Sequence, residues 1–468
     1  MVNQSLSSGI FPNALKLAEV IPIHKGKDPE KVENYRPISI LPALSKVFEK
    51  VMNEQLQNYF ETNKLFNKNQ YGFRKKHSTE MACLQLTDNI IWMMEENKVP
   101  VNVFMDLSKA FDTIDHQILL NKLQFYGLKG TELELFVSYL SNRKQYVQFE
   151  DKKSKTEIIT TGVPQGSILG PLLFIIYIND ICRATDYFDV IIYADDTTLC
   201  SSIKVELTAA QKSNKLSLNT NKTKCMIFHN IQKKVDQLEI KLNGKQIETV
   251  SSFNYLGILL DTALTFKNHI SRLTATLSKT IGSLNLIKKS VSENILLQIY
   301  NSLIHSKLCY GILVWGHKSY KLNKIQKRAI RVITNSRFNA HTEPLFKRLN
   351  ILRSEDINKL QIYKFLHKLE NNGVPEYFQN IEILKSKDIH NYNTRSKNQY
   401  YNTFHRRTLT ENCLKLKMIN TLNKTEHIIS SKLQTHSLVG FAQYVKLYII
   451  NGYQINCNIQ NCFTCNYI

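Results

Sequence analysis

The sequence predicts an α+β protein, and three observations carry that assignment. The run Val190-Ile191-Ile192-Tyr193-Ala194-Asp195-Asp196-Thr197-Thr198-Leu199 sets two adjacent carboxylates between two apolar, β-branched arms, the pattern of a hairpin with an acidic turn. Upstream, Val101-Asn102-Val103-Phe104-Met105-Asp106 is a second apolar strand that ends in a carboxylate. Further on, Phe266, Ile270, Leu273, Leu277, Ile281, Leu284 and Ile287 recur at helical spacing, and Ile295 to Cys309 continues similarly. Alone, an Asp-Asp pair is an ordinary solvated turn. Two strands that each deliver Asp at their ends can instead gather three carboxylates around a pair of divalent ions, as in-line phosphoryl transfer requires.

Bulk properties narrow the classes. A chain of 468 residues is long enough for two to four domains with real cores, and 43% apolar residues excludes a disordered protein. The 61 Lys and Arg against 39 Asp and Glu leave a formal charge of +22. That surplus is spread along the chain and suits a nucleic-acid partner; a ribosome-like, merely basic or membrane-surface protein is the other reading. Nine unevenly spaced cysteines without a secretory leader point to free thiols in a reducing compartment. The longest apolar run, Pro171 to Ile178, falls short of the about 20 residues that cross a bilayer, so a soluble intracellular protein with no membrane partner is expected.

Three segments then carry a specific resemblance. Phe104-Met105-Asp106-Leu107-Ser108-Lys109-Ala110-Phe111-Asp112, Gly162-Val163-Pro164-Gln165-Gly166-Ser167-Ile168-Leu169-Gly170-Pro171 and Tyr193-Ala194-Asp195-Asp196 resemble, in order, three palm motifs of reverse transcriptases of jockey-like non-LTR retrotransposons. The resemblance is strong from about Ser5 to Asp261 and looser to about Lys397. It implies a right-hand polymerase of fingers, palm and thumb, with an antiparallel palm sheet and a helical C-terminal region. The expected division is a reverse transcriptase domain over 1–261, with partial fingers over about 1–100 and palm over about 101–261. A thumb-like region over 262–340 and a retrotransposon-type region over 341–468 follow, the latter with a poorly defined tail. The implied reaction extends a primer 3′-OH on an RNA template with two Mg ions. Asp106 and Asp195 would be the main ligands, Asp196 a support and the Leu107 carbonyl an extra ligand. RNA template, DNA primer and deoxynucleoside triphosphates are the implied partners; the oligomeric state is left open.

The elements follow in chain order. Ser5 to Pro12 resembles the tail of a fingers helix, so the chain is expected to start inside a domain, as an N-terminally truncated copy. Ala18 to Lys27 reads as a strand and a basic loop, and Asn34-Tyr35-Arg36-Pro37 leads into a helix from about Leu44 to Tyr59. Lys25, Lys27 and Arg36 form a cationic cluster suited to a triphosphate or template backbone, or else a solvated basic loop. In Gln70 to Thr79, Gly72 permits close backbone approach, Arg74 offers a planar donor fork, and Ser78 or Thr79 can cap a helix over about 80–96. This segment resembles the family's second fingers motif, which makes Arg74 the expected holder of the incoming triphosphate; its plain reading is a capping loop.

Helices are expected at Gln117 to Tyr126 and Leu133 to Leu140, and a strand at Arg143 to Phe149. A tight loop at Thr161 to Ser167, whose Gln165 can reach sugar or base, precedes an apolar helix over Leu169 to Ile181. Phe111, five residues after Asp106, stands where the family's sugar-selecting side chain lies, so an aromatic wall would exclude a 2′-OH; otherwise it is a core residue.

Only 18 positions separate Asp196 from Asn214, room for a helix of about three turns near Val205 to Lys215, shorter than the family's palm helix. Two readings follow, an active polymerase or a catalytically inactive nucleic-acid-binding remnant. Lys222 to Phe228 resembles the family's next palm motif, a Lys followed by a strand, so Lys222 would donate a proton to leaving pyrophosphate or act as a charge clamp, or is simply a basic strand entry. Ser252 to Asp261 resembles a primer-grip hairpin, with Tyr255, Leu256 and Gly257 holding the growing 3′ end through backbone freed at Gly257. Over Lys321 to Ile333, Lys324, Lys327, Arg328 and Arg331 interleave with Leu322, Ile325 and Ile330, so one face packs while the other follows a nucleic-acid backbone. Leu345 to Leu352 and His390 to Asn398 resemble downstream segments of the same elements. Cys457, Cys462 and Cys465 lack a fourth ligand, so an unstructured tail is expected there instead of a zinc site. The expected location is nucleus and cytoplasm, as a ribonucleoprotein.

Overall fold

A computed structural model describes residues 1–26, 28–107, 110–184, 188–202, 222–230, 241–242, 245–389, 397–424, 429 and 431–453. Lys27, the shortened helix near Val205 to Lys215, most of His390 to Asn398 and the three C-terminal cysteines lie outside these residues. The chain divides into two compact units.

The first unit comprises Met1–Lys75, Asn102–Cys225 and Gln237–Thr249. In one of its sheets Leu17–His24 runs antiparallel to Tyr35–Ile40 and parallel to Lys144–Phe149, which also pairs with Lys152–Lys153 and Glu157–Ile158. Tyr35–Ile40 is a strand where the sequence suggested only a lead-in to a helix. It lies at the sheet's edge, where the missing N–H of Pro37 is tolerated. The helix Ala43–Thr62 buries Phe48, Met52, Leu56 and Phe60, one per turn, against this unit's core.

The sheet that carries the acidic residues has the order Glu248–Thr249, Lys224–Ile227, Val101–Met105, Asp196–Ser201, Asp189–Tyr193. Val101–Met105 is its central strand and every one of its side chains is buried, which explains its near-continuous apolar wording. The α+β class holds, and the acidic hairpin is antiparallel as expected; Glu248–Thr249 adds one parallel pairing to Lys224–Ile227. The apolar helix spans Gly170–Tyr177 and stops four residues before the expected Ile181. Asn179 and Asp180 end it because their side chains are engaged elsewhere. Asn179 accepts the Asn67 N–H at 2.7 Å and donates to the Leu65 carbonyl at 2.8 Å, and Asp180 pairs with Lys122 at 2.7 Å.

The second unit comprises Lys76–Val101, Met226–Asp236 and Val250–Ile468 and is mostly helical. Its helix Thr79–Glu95 begins at Ser78, whose hydroxyl accepts the Met81 N–H, and is buried round most of its circumference. Two of its carboxylates take donors from the C-terminal region. Asp88 accepts the Leu414 N–H at 3.1 Å, while Glu95 accepts the Arg407 N–H at 3.2 Å and the Thr410 hydroxyl at 2.6 Å. This helix, expected among the fingers, therefore packs with the C-terminal region. Helix Lys267–Ile287 buries Ile270, Leu277, Ile281 and Leu284, as its spacing predicts, while Leu273 is half-buried and Ile287 at its end is exposed. Glu293–Tyr300 continues through a π turn at Asn301–His305 into Ser306–Cys309. Ser354–Glu370 packs against Leu414–Asn423 and Leu438–Asn451. Among the described residues, no helix is long and apolar enough to cross a membrane.

Candidate active site

The acidic turn is two residues long. Tyr193 pairs with Asp196, leaving Ala194 and Asp195 to reverse the chain, and Ala194 takes a left-handed φ of 54° without the freedom of a glycine. The segment Asn69–Gly72 holds it there. Asn69 O accepts the Ile192 N–H at 2.9 Å, Tyr71 N–H donates to Ile192 O at 2.7 Å, and the Gln70 Oε1 accepts both the Gly72 N–H at 2.7 Å and the Ala194 N–H at 3.2 Å. Gly72 must be glycine: a Cβ there would lie 2.4 Å from the Ala194 nitrogen.

Asp106 leaves the central strand half-buried, and its Oδ2 accepts from Lys222 Nζ at 3.0 Å. Burial raises the pKa of Asp195 and the Asp106 charge raises it further, while the Lys222 and Arg36 charges lower it. Asp196 is pushed up to about 6, by burial first and then by Asp195 and Asp106. The fold thus brings Asp106, Asp195, Asp196, Lys222 and Arg36 into one electrostatic cluster. Among the described residues, however, no three His, Cys, Asp or Glu side chains stand as a ready metal cluster. The expected metal set of Asp106, Leu107, Asp195 and Asp196 is therefore not preassembled. Like charges repel, and the Lys222 ammonium supplies the cation that Asp106 faces.

The glycine-rich loop is locked against the segment that follows Asp106. Gly162 N–H donates to Ile114 O at 2.8 Å, Val163 N–H to Phe111 O at 2.9 Å, and Gln165 Nε2 to Asp112 Oδ1 at 2.9 Å. On its other side the Ser39 N–H donates to Gln165 O at 2.7 Å, so the loop also ties to the edge strand that carries Arg36. Glu49, fully buried on helix Ala43–Thr62, accepts the Ile168 N–H at 2.7 Å and the Tyr139 hydroxyl at 3.0 Å. Phe111 is half-buried with its ring 4.8 Å from that of Phe174.

Arg74 departs from expectation. Its guanidinium binds both oxygens of Glu61, at 3.1 and 2.8 Å, donates to Asn67 O at 2.9 Å and lies over the Phe66 ring. A fork engaged on both prongs and 10% exposed is a strut for the loop and is not free for a triphosphate. Sequence reasoning missed Gln70, Asp112 and Glu49. The Gln70-Tyr71-Gly72 wording was the available signal for the first; nothing local marks Glu49, whose partners lie 90 and 119 residues away.

In the second unit, Ser252–Tyr255 and Ile258–Asp261 form the expected hairpin, with Leu256 and Gly257 at its turn. Its turn carbonyls are not free: the Tyr310 hydroxyl donates to Leu256 O at 2.5 Å and Arg272 Nη2 to Gly257 O at 2.8 Å. Lys324, Lys327 and Arg328 are exposed on helix Asn323–Ile333, whereas Arg331 is half-buried and donates to Ala340 O at 2.9 Å.

The family model described as "Reverse transcriptase (RNA-dependent DNA polymerase)" matches residues 23–260. The RNA-directed DNA polymerase from mobile element jockey of Drosophila melanogaster is 31% identical over 395 residues, covering 78% of this chain and 43% of that protein. The probable RNA-directed DNA polymerase from transposon BS of the same species is 29% identical over 390 residues, 76% of this chain and 42% of that protein. The chain thus spans about two-fifths of the length of these relatives. A telomerase structure from Candida tropicalis aligns over 79% of this chain and 65% of its own, at 12% identity and a TM-score of 0.38.

Proposed function

We propose that this chain, which belongs to the reverse transcriptase (RNA-dependent DNA polymerase) family, extends a primer 3′-OH on an RNA template with deoxynucleoside triphosphates, as the polymerase part of a jockey-like retrotransposon protein. The observation that carries the reading is the convergence of Asp106, Asp195 and Asp196: the Asp106 charge acts on both Asp195 and Asp196, the Asp195 charge acts on Asp196, and Lys222 sits on Asp106 at 3.0 Å. Family membership implies a divalent-metal-dependent polymerase; Mg, as two ions, is the form proposed here. Three carboxylates competing for one ammonium are a donor set that fits such cations, with Asp106 and Asp195 as main ligands and Asp196 and the Leu107 carbonyl beside them. When bound, the ions lower the pKa of the primer hydroxyl and neutralise the departing pyrophosphate.

The chain's own residues do the rest. Lys222, paired with Asp106 at 3.0 Å, is a proton donor or charge clamp for the leaving group. Arg36, on the edge strand, adds a guanidinium for the triphosphate. Gln165 is oriented by Asp112 toward the sugar or base, and Phe111, backed by Phe174, forms the wall against a 2′-OH. Arg74 supports the loop and is left out of the nucleotide set. Lys324, Lys327 and Arg328 follow the nucleic-acid backbone.

Primer extension on an RNA template with Mg, comparing the wild-type chain with Asp195→Asn under conditions where both bind the primer–template, tests this. A metal ligand supplies several kcal/mol of transition-state stabilisation, so the variant should lose on the order of 10³-fold or more in rate. Equal binding with no extension by either protein would overturn the assignment.

A further inference from the structure

The second unit contains a cavity of about 650 Å³ lined by residues of helices Lys267–Ile287 and Asn323–Ile333, of the segments after each and of the turn Gly316–Leu322 before the second. Five cations line it, Lys288, Lys321, Lys324, Arg328 and Arg331, with no carboxylate among its lining residues. The surrounding sequence is equally one-sided. Positions 262–342 hold 13 Lys and Arg and a single acid, Glu293, which is paired with Arg348 at 2.8 Å. Such a surface calls for a polyanion.

A duplex backbone needs only a cationic face, and this site offers more. Its volume lies within the about 300–1,000 Å³ of pockets that enclose a small molecule. Ile325 and Val332 line it as buried apolar residues, and Phe338, 90% exposed, gives it an uncovered aromatic ring. An aromatic ring left in water beside a cluster of cations is the pairing that takes a nucleotide, base on ring and phosphate on cations. Asn285, Thr274 and Ser336 add an amide and two hydroxyls for the base edge or sugar. Arg331 is already held by the Ala340 carbonyl at 2.9 Å, so one cation is ordered in advance.

We propose that this cavity binds an unpaired nucleotide of a single-stranded nucleic acid, stacking its base on Phe338 and holding its phosphate with Lys324, Arg328 and Arg331. Every lining residue belongs to the second unit, so the proposal does not depend on the polymerase reading.

The test uses the full chain and an oligouridylate of about 12 nucleotides, carrying 5-iodouridine at its centre for photo-crosslinking, alongside an otherwise identical strand with an abasic central position. The crosslink should map to the peptide containing Phe338. The base-bearing strand should bind more tightly than the abasic one, and Phe338→Ala should remove that difference, a loss of roughly 5-fold or more. Lys324→Gln should weaken both strands alike. Phe338 is too exposed for its removal to threaten the fold. Equal affinity of the two strands for the wild-type chain would overturn the proposal, as would displacement of the labelled strand by an equal nucleotide concentration of blunt duplex. Either result would leave a face that follows phosphates alone.

Discussion

The turn at Ala194-Asp195 and the turn at Leu256-Gly257 are both two residues long, and both place a non-glycine residue in left-handed backbone, Ala194 at φ 54° and Leu256 at φ 44°. They are held in opposite senses. At the acidic turn a side-chain acceptor, Gln70 Oε1, takes the backbone N–H of Ala194. At the other, side-chain donors from Tyr310 and Arg272 take the carbonyls of Leu256 and Gly257. A turn that must offer carboxylates to cations can be fixed through its N–H groups without using up the acceptors. The second turn is fixed through its acceptors, so whatever it offers a ligand is not those two carbonyls.

The largest effect should come from breaking the support under the acidic turn. Gly72→Ala places a methyl 2.4 Å from the Ala194 nitrogen, against backbone that cannot rotate away. A shift of about 1 Å at a reacting centre costs on the order of 100-fold in rate, and that is the expected fall in primer extension, with helical circular dichroism unchanged. Extension within about threefold of wild type would mean that the turn is held by its own strands and that Gln70 and Gly72 are incidental.

This comparison also marks what could be read in the sequence. The acidic hairpin, the Asp106 strand and the helix Lys267–Ile287 were legible because each is a local pattern, a short apolar run that ends in a carboxylate or a spacing of three and four. The two turns' supports were not. Gln70 reaches Ala194 across 124 residues, and Tyr310 reaches Leu256 across 54, so no window of sequence holds both partners. Arg74 failed for a related reason. A motif can say that an arginine belongs in a loop, but only the fold reveals that Glu61, one helix earlier, takes its fork. The second unit's claim on helix Thr79–Glu95 includes hydrogen bonds to Asp88 and Glu95 from the Leu414, Arg406 and Arg407 N–H groups and the Thr410 hydroxyl, more than 300 residues away, which leave no compositional trace.

A smaller, pH-dependent difference should separate the hairpins. His269 Nδ1 accepts the Leu259 N–H at 3.3 Å, which requires the neutral ring, and burial, with the nearby Arg272 charge, pushes its pKa down to about 4. Between about pH 6.5 and 4 the unfolded ring binds a proton that the folded ring refuses. Its contribution is therefore complete above about pH 6.5 and lost as the pH falls toward 4, by at most about 1.4 kcal/mol per pH unit. Hydrogen exchange over 252–261 should accelerate across that window in the wild type relative to His269→Gln, after correction for intrinsic rates. The strand Asp189–Tyr193, tied to the non-titrating backbone and amide of Asn69–Gly72, should show no such difference. His317, also lowered by burial to about 3, is common to both proteins and cancels in the comparison.

The smallest effect expected is that of Tyr310→Phe. It removes one donor from the Leu256 carbonyl while keeping the ring, and the carbonyl can turn to water because Tyr310 is itself exposed. A single hydrogen bond of this kind contributes about 1 kcal/mol, so exchange at the Leu256-Gly257 turn should rise by no more than about fivefold. Arg272 remains as the second tether, bridging the Gly257 carbonyl at 2.8 Å and Asn254 Oδ1 at 3.0 Å across the hairpin. If Tyr310→Phe leaves exchange unchanged, Arg272 alone sets the turn. Exchange that instead rises far beyond fivefold would make the tyrosine the main tether, and the left-handed φ of Leu256 would then be the strain that its hydroxyl holds in place.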